Sequence, residues 1–488
     1  MSEVPYESAE SVRAQREKLP LYTPRVKVFP KKVSGVIRRV KWAALILLLS
    51  IYYIAPWLRW DRGPGVPDQA FLIDMPNRRG YFLWIEIWPQ EVYYLAGLLL
   101  IGAFGLFLAT ALLGRVWCGF TCPQTVWTDL FMWVERMVEG ERGARIRLDN
   151  GPWTAEKVAK RTTKHSLWLL ISLLTGGAWI MYFNDAPTRV QDILHFELAS
   201  SVVFFIGLFT AMTYLLAGFA REQVCTYMCP WPRFQSAMFD EDSLIVTYET
   251  WRGEPRGPVR KGQSWDDRGD CVACNQCIAA CPTGIDIRDG SQLECIGCGL
   301  CIDACNEVMD RVGRPRDLIT YDSINRQDAR AKGETLPYRF VRPRTIMYLV
   351  LLLVVAGAIV FGLWARPVLE TNVLRDRSPL FVRLSDGSIR NGYTFKILNK
   401  QRTDEAYLLE LEGLPGATMS VVGQHGEGGV VNLLAAPDTV TSYHIYVRAP
   451  RTSLKGEATP FVFRLLQVPA IDGAAKTTHD VIFRGPAR

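Results

Sequence analysis

Histidine is scarce in this 488-residue chain, and cysteine is confined to part of it. Of the five histidines, His165 and His195 alone adjoin the long apolar stretches. They would fall toward opposite faces of a membrane, which argues against a transmembrane haem chain on paired histidines. No cysteine follows Cys305, so the C-terminal segment offers no thiol to an oxidising compartment. The first 41 residues lack the short apolar run and small-residue cleavage site of a secretory leader. The first apolar stretch therefore reads as an uncleaved anchor. Lys and Arg exceed Asp and Glu by a net +7. That excess follows the loops between apolar stretches and calls for no nucleic-acid partner.

Charge is missing from several long runs. Five stretches are candidates to cross a bilayer, whose core takes about 20 helical residues. They are Trp42 to Leu58, Val92 to Leu113, Leu167 to Phe183, Leu198 to Phe219 and Thr345 to Trp364. The first and third are short, and interfacial Trp and Tyr would extend them. Lys plus Arg number ten before the first stretch, four after it and nine between the second and third. One, Arg189, lies between the third and fourth, and 17 lie between the fourth and fifth. By the positive-inside rule the N-terminus, the second loop and the fourth loop are cytoplasmic. Five spans then leave the C-terminal segment outside.

The expected organisation is a cytoplasmic segment over 1–41, a four-helix membrane region over 42–220, a cytoplasmic segment over 221–344, a fifth transmembrane helix over 345–364 and an external domain over 367–488. In that last domain apolar residues alternate at Tyr393, Phe395 and Ile397, and at Tyr407, Leu409 and Leu411. The pattern returns at Tyr443, Ile445 and Val447, at Phe461, Phe463 and Leu465, and at Val481 and Phe483. Period-two strands between Gly, Pro, Asp and Asn turns predict an antiparallel β-sandwich. It shows no catalytic constellation. His425, in a Gly-rich loop, and His444, in a strand, read as ordinary polar residues.

Cysteine carries the chemistry. Cys271, Cys274, Cys277 and Cys281 have the spacing C-x2-C-x2-C-x3-C, and Cys295, Cys298, Cys301 and Cys305 repeat it. This run resembles that of bacterial two-cluster ferredoxins, which hold two 4Fe-4S clusters. The resemblance implies Cys271, Cys274, Cys277 and Cys305 on one cluster, and Cys295, Cys298, Cys301 and Cys281 on the other. Pro282 follows the first run, while Asn306 stands where the second usually has proline. Structural zinc also uses C-x2-C pairs, but the doubled register of eight cysteines argues against it. The cluster domain is expected over about 262–310.

The other four cysteines form two C-x3-C-P pairs, Cys118 with Cys122 and Cys225 with Cys229. Each follows an apolar stretch and an arginine, Arg115 or Arg221, so the regions look like an internal repeat. On an α-helix, i and i+4 share a face, so each pair would present two thiols together. Four soft thiolates suit Cu(I), a third iron–sulfur cluster or zinc, and the pairs could cycle through disulfides. Proline after the second cysteine suits the first turn of a new helix.

The whole arrangement resembles the cytochrome c oxidase accessory protein family, called CcoG, FixG or RdxA. The motifs that carry this are the doubled cluster run, the two C-x3-C-P pairs, the five spans and the external sandwich. The resemblance implies a multi-pass protein of the bacterial inner membrane with a cytoplasmic ferredoxin domain and a periplasmic immunoglobulin-like domain. It implies electron transfer for assembly of a cbb3-type oxidase, with Cu(II) reduced to Cu(I) at the C-x3-C-P thiols. Oxidase assembly components, periplasmic copper chaperones and an electron donor would be the partners. Membrane polyferredoxins of the NapH and NosR type share the C-x3-C-P pairs, which keeps a quinol-linked electron-transfer role open. A non-enzymatic assembly factor is the third possibility.

Overall fold

The computed structural model describes residues 27–63, 65–258, 265, 267–367, 369–424, 428–468 and 477–486. It forms two compact units, which divide within a helix between Ile359 and Val360. His425 lies outside the described residues.

In the first unit, helices α1 (Val36–Ile54), α2 (Val92–Leu113), α3 (Pro123–Glu139), α4 (Arg142–Asn150) and α5 (Ala155–Ile180) come first. A three-stranded sheet, β1 (Phe71–Asp74), β2 (Arg79–Phe82) and β3 (Ile85–Ile87), separates α1 from α2. Then follow α6 (Ala186–His195), α7 (Ser200–Thr213) and α8 (Trp231–Met238). Strands β4 (Ile245–Tyr248) and β5 (Ile319–Asp322) pair antiparallel and bracket both ferredoxin-type cysteine runs. Between them lie α9 (Gln276–Ala280) and α10 (Leu300–Val312), and α11 (Ile324–Ala331) and α12 (Pro343–Trp364) complete the series.

Among the described residues, four helical segments are long and apolar enough to cross a membrane: Val36–Trp57, Pro89–Leu113, Ser200–Ala220 and Pro343–Trp364. Their side chains face outward because only lipid solvates such runs favourably. The third expected stretch is the latter part of α5, whose first turns are charged. Those turns are anchored by Lys164, which pairs with Glu139 of α3 at 3.0 Å. The other end of α5 meets the segment after α1: Gln69 donates to the Met181 carbonyl at 2.6 Å, and Arg59 pairs with Asp185 at 2.6 Å. Tyr52, near the end of α1, donates to the Thr175 carbonyl at 2.7 Å.

In the second unit the sheets run β10-β12-β8-β6, with β7 on β8, and β11-β9-β13-β14. Here β6 is Leu369–Arg375, β7 Val382–Arg383, β8 Ile389–Asn399, β9 Glu405–Glu412 and β10 Thr418–Val421. The rest are β11 Val430–Ala435, β12 Thr439–Ala449, β13 Ala458–Val468 and β14 Thr477–Arg484. The alternating residues fill one core: Tyr393, Phe395, Ile397, Tyr407, Leu409, Ile445, Val447, Phe461, Phe463, Leu465 and Phe483 are buried together. Tyr393 keeps its hydroxyl satisfied by donating to the Ile482 carbonyl at 3.0 Å. His444 pairs with Asp376 at 3.3 Å and packs edge-on against Tyr446, as an ordinary strand residue would.

Phe463 is in ring contact with Tyr393, Phe395 and Phe461. Phe463→Ala is expected to destabilise the sandwich by about 3–5 kcal/mol. Urea titration followed by the fluorescence of this unit checks it.

Candidate functional site

The two ferredoxin-type runs share a backbone device. The residues on either side of each middle cysteine take positive φ: Ala273 at 53° and Asn275 at 55°, Gly297 at 65° and Gly299 at 68°. Alternating handedness curls three cysteines round one point, as a backbone nest does. The second run needs glycine there for a further reason. A Cβ on Gly297 would sit 2.8 Å from the Arg115 Cβ, and one on Gly299 2.7 Å from the Tyr321 hydroxyl. Tyr321 also donates to the Gly297 carbonyl at 2.6 Å.

The thiols sort into two crossed sets. Burial pushes the Cys305 thiol up to about 12, with Cys277, Cys274 and Cys271 adding to the effect. Burial likewise raises Cys295 to about 12, with Cys298 and Cys281 contributing. Cys281, Cys295, Cys298 and Cys301 line one small cavity, together with Cys277. The fourth cysteine of each run thus faces the other run's set, the donor arrangement that two cubane clusters require. When bound, such clusters supply one-electron transfer.

The C-x3-C-P pairs are held differently from an α-helical face. Trp117–Thr121 and Val224–Met228 are single π turns. Each closes on its second cysteine: Cys122 N–H donates to the Trp117 carbonyl at 2.8 Å, and Cys229 N–H to the Val224 carbonyl at 2.7 Å. A π turn widens the ring by one residue, and such turns recur at functional sites. Pro123 then opens α3, where its missing N–H costs nothing.

The four thiols come together although the pairs are far apart in sequence. Burial pushes Cys118 up to about 12, and Cys122, Cys225 and Cys229 all add to the shift. Cys225 is raised to about 12 by burial, then by Cys122 and Cys229. Gln124 bridges the two regions, donating to the carbonyls of Leu216 at 2.9 Å and Arg221 at 3.2 Å. The Cys118 thiol donates to Gln235 Oε1 at 3.3 Å. Among the described residues no three His, Cys, Asp or Glu side chains close on a single ion. That holds for the eight ferredoxin-type cysteines as well, and a four-iron cluster spaces its thiolates more widely than one ion does. The two arginines diverge: Arg115 donates to the carbonyls of Gln292, Leu293 and Cys295, and Arg221 pairs with Glu135.

This four-thiol centre abuts the second cluster set. Cys118, Ile296, Cys298 and Leu300 form one buried group with Cys225 and Trp231 against it. A Cβ on Gly119 would lie 2.8 Å from the Gly297 carbonyl oxygen and 3.0 Å from the Cys298 Cα. The cysteine sets therefore lie in series: Cys271/Cys274/Cys277/Cys305, Cys281/Cys295/Cys298/Cys301, then Cys118/Cys122/Cys225/Cys229.

Known protein families match the cysteine-bearing regions. A model described as a 4Fe-4S dicluster domain matches residues 220–324, and one described as a 4Fe-4S binding domain matches 95–139. The Ig-like fold at the C-terminus of FixG matches 359–486. Nitrogen fixation protein FixG of Rhizobium meliloti is 50% identical over 472 residues, covering 91% of this chain and 90% of its own. The chain belongs to the FixG/RdxA family. Protein RdxB of Cereibacter sphaeroides is 48% identical, covering 95% of this chain and 97% of its own. RdxA of the same organism is 46% identical, covering 96% and 99%. This FixG/RdxA-family chain is thus an iron–sulfur electron-transfer protein with membrane helices and an Ig-like C-terminal domain.

Several positioning residues escape sequence reading. Asp303, between Cys301 and Cys305, accepts the backbone N–H groups of Ile37 at 3.3 Å and Arg38 at 2.7 Å. It thereby fixes the start of α1 on α10. Arg38 in turn donates to both oxygens of Asp129 in α3, at 2.9 and 2.8 Å. The signal available was charge inside the first turn of an otherwise apolar helix.

Two outcomes are expected. Gly119→Val forces apart the backbones at Gly297 and Cys298, so iron content should fall and the second cluster's paramagnetic signal should broaden or disappear. Iron assay and electron paramagnetic resonance check this. Thiols held protonated by burial must release protons to bind a metal. Metal uptake by the empty protein should therefore strengthen as pH rises, measurable as dye-detected proton release on loading.

Proposed function

We propose that this protein serves assembly of a cbb3-type cytochrome oxidase by reducing Cu(II) to Cu(I) at the Cys118/Cys122/Cys225/Cys229 centre. The observation that carries the reading is the backbone contact of Gly119 with Gly297 and Cys298, which seats that centre on the second cluster set. Each Cu(II) takes one electron, matching groups that move electrons singly. Thiolates prefer Cu(I), so the site favours the reduced ion. Gln124 holds the two pairs together, and Gln235 holds the Cys118 thiol.

Five crossings fit this role. α5 runs from the Glu139 level at the cysteine side to the Gln69 and Arg59 level beyond α1, the same interval that α1 covers. The positive loops favour a cytoplasmic ferredoxin-type unit, and the lack of cysteine suits a periplasmic Ig-like unit. The partners would be oxidase assembly components, periplasmic copper chaperones and an electron donor.

One observation favours a second occupant for the four thiols. The stretch 95–139, matched by a 4Fe-4S binding model, contains only Cys118 and Cys122 as cysteines. With Cys225 and Cys229 they would complete a third cluster, and copper would be reduced beside it rather than on it.

Replacing all four cysteines with serine is expected to abolish Cu(I) formation, measured with a Cu(I)-specific chelator in purified protein. The signals of the two ferredoxin-type clusters should persist. Iron loss in that variant identifies a third cluster, and loss of copper binding alone identifies a copper site. A variant reducing Cu(II) as fast as wild type would exclude these cysteines.

A further inference from the structure

His165 is unused by any step above, yet it stands at the edge of a cavity of about 300 Å³ between α5, α3 and the π-helical segment Tyr214–Ala220 that follows α7. The lining includes Trp168, Phe219, Arg221 and Glu222. Phe219 stacks on the imidazole at 5.7 Å and 14°, and Trp168 meets it edge-on at 5.2 Å. Phe219 belongs to the apolar segment Ser200–Ala220 and is 46% exposed, so one wall of the cavity is continuous with that apolar surface, while Glu135, Arg161 and Lys164 make the opposite side charged. Tyr214 Oη lies 3.0 Å from His165 Nδ1, which leaves Nε2 for a ligand. Burial, then Lys164 and Arg161, hold the imidazole pKa below its ordinary value, so it stands neutral and able to accept a proton.

The cavity is also next to the four-thiol centre. Arg221 and Glu222 form a wall shared with a smaller cavity that contains Cys225. A flat, aromatic, lipid-soluble ligand that donates a hydroxyl hydrogen bond would use the Trp168 and Phe219 rings, the imidazole and the neighbouring redox centre together. An anionic phospholipid would satisfy the neighbouring cations but has no use for the stacked rings or the neutral imidazole.

We infer that this cavity binds a membrane hydroquinone, which feeds electrons to the adjacent thiol-held centre. This rests on the proposed electron-transfer role and names its donor. Oxidation of one hydroquinone releases two electrons and two protons and leaves a quinone. Two Cu(II) become two Cu(I). The first proton passes from the hydroxyl to His165 Nε2, and the second reaches water at the polar mouth formed by Lys27 and Arg161. The electrons leave singly along the Glu222–Cys225 wall.

The test is equilibrium binding of a short-chain ubiquinone analogue to the full detergent-solubilised chain. Saturable binding is expected, weakened about tenfold or more in His165→Leu by the lost hydrogen bond. Phe219→Ala, which keeps the imidazole, should weaken it as well by removing the stack. Unchanged binding in both variants overturns the inference, as does loss of phosphatidylglycerol binding with quinone binding intact. Wild-type protein that reduces Cu(II) from its own pre-reduced clusters, after excess dithionite has been removed, but never with the hydroquinone sinks this inference alone. If copper is reduced neither by the pre-reduced clusters nor with the hydroquinone, the copper reading fails, while the quinone titration still decides this one.

Discussion

Gly119 and the Gly297–Cys298 backbone approach more closely than any side chain would allow. The rest of the arrangement depends on that contact. It lets a π turn at the end of one membrane helix sit on a cluster-binding loop about 180 residues later in the chain. Electron transfer falls steeply with distance, so removing one layer of side chains between two centres matters more than any local tuning. Arg115 completes the seat by gathering the carbonyls of Gln292 and Leu293, in the loop that precedes Cys295, and the Cys295 carbonyl itself. A buried guanidinium without those acceptors would be costly, so the loop and the helix end are held to one geometry.

The same logic joins the helices to the ferredoxin-type unit. Asp303 caps α1 while lying between two cluster cysteines, and Arg38 carries the connection on to Asp129 of α3. The charges are buried and paired, which penalises any arrangement that separates them. Glu135 does the same on the far side of α3, facing Arg145, Lys164 and Arg221. α3 thus acts as a rigid strut between the four-thiol centre and the cavity at His165.

Much of this was legible in the chain. Ligand spacing is local, so the eight cysteines announced two clusters, and period-two apolar residues such as Tyr393, Phe395 and Ile397 marked the sandwich core. Charge-free runs such as Val92 to Leu113 marked helices that only lipid would solvate. What stayed hidden was non-local or short. The repeated C-x3-C-P pairs suggested that Cys118 and Cys225 share one four-thiol site, but Gln124, which bridges the two regions, carries no local signal of that role. The i, i+4 spacing suggested an α-helical face, whereas the backbone takes a π turn. Strands β1 to β3 are three or four residues long and interrupted by Arg79 and Gly80, too short for an alternation to register. α5 was ambiguous because its charged first turns find buried partners instead of water.

The most direct test of the account is rapid-freeze electron paramagnetic resonance. Protein with its clusters reduced is mixed with stoichiometric Cu(II) and sampled over milliseconds. The account predicts that the Cu(II) signal and the reduced-cluster signal disappear together, one cluster electron for each copper. Cu(II) that persists beside reduced clusters, or vanishes while the clusters stay reduced, would contradict it.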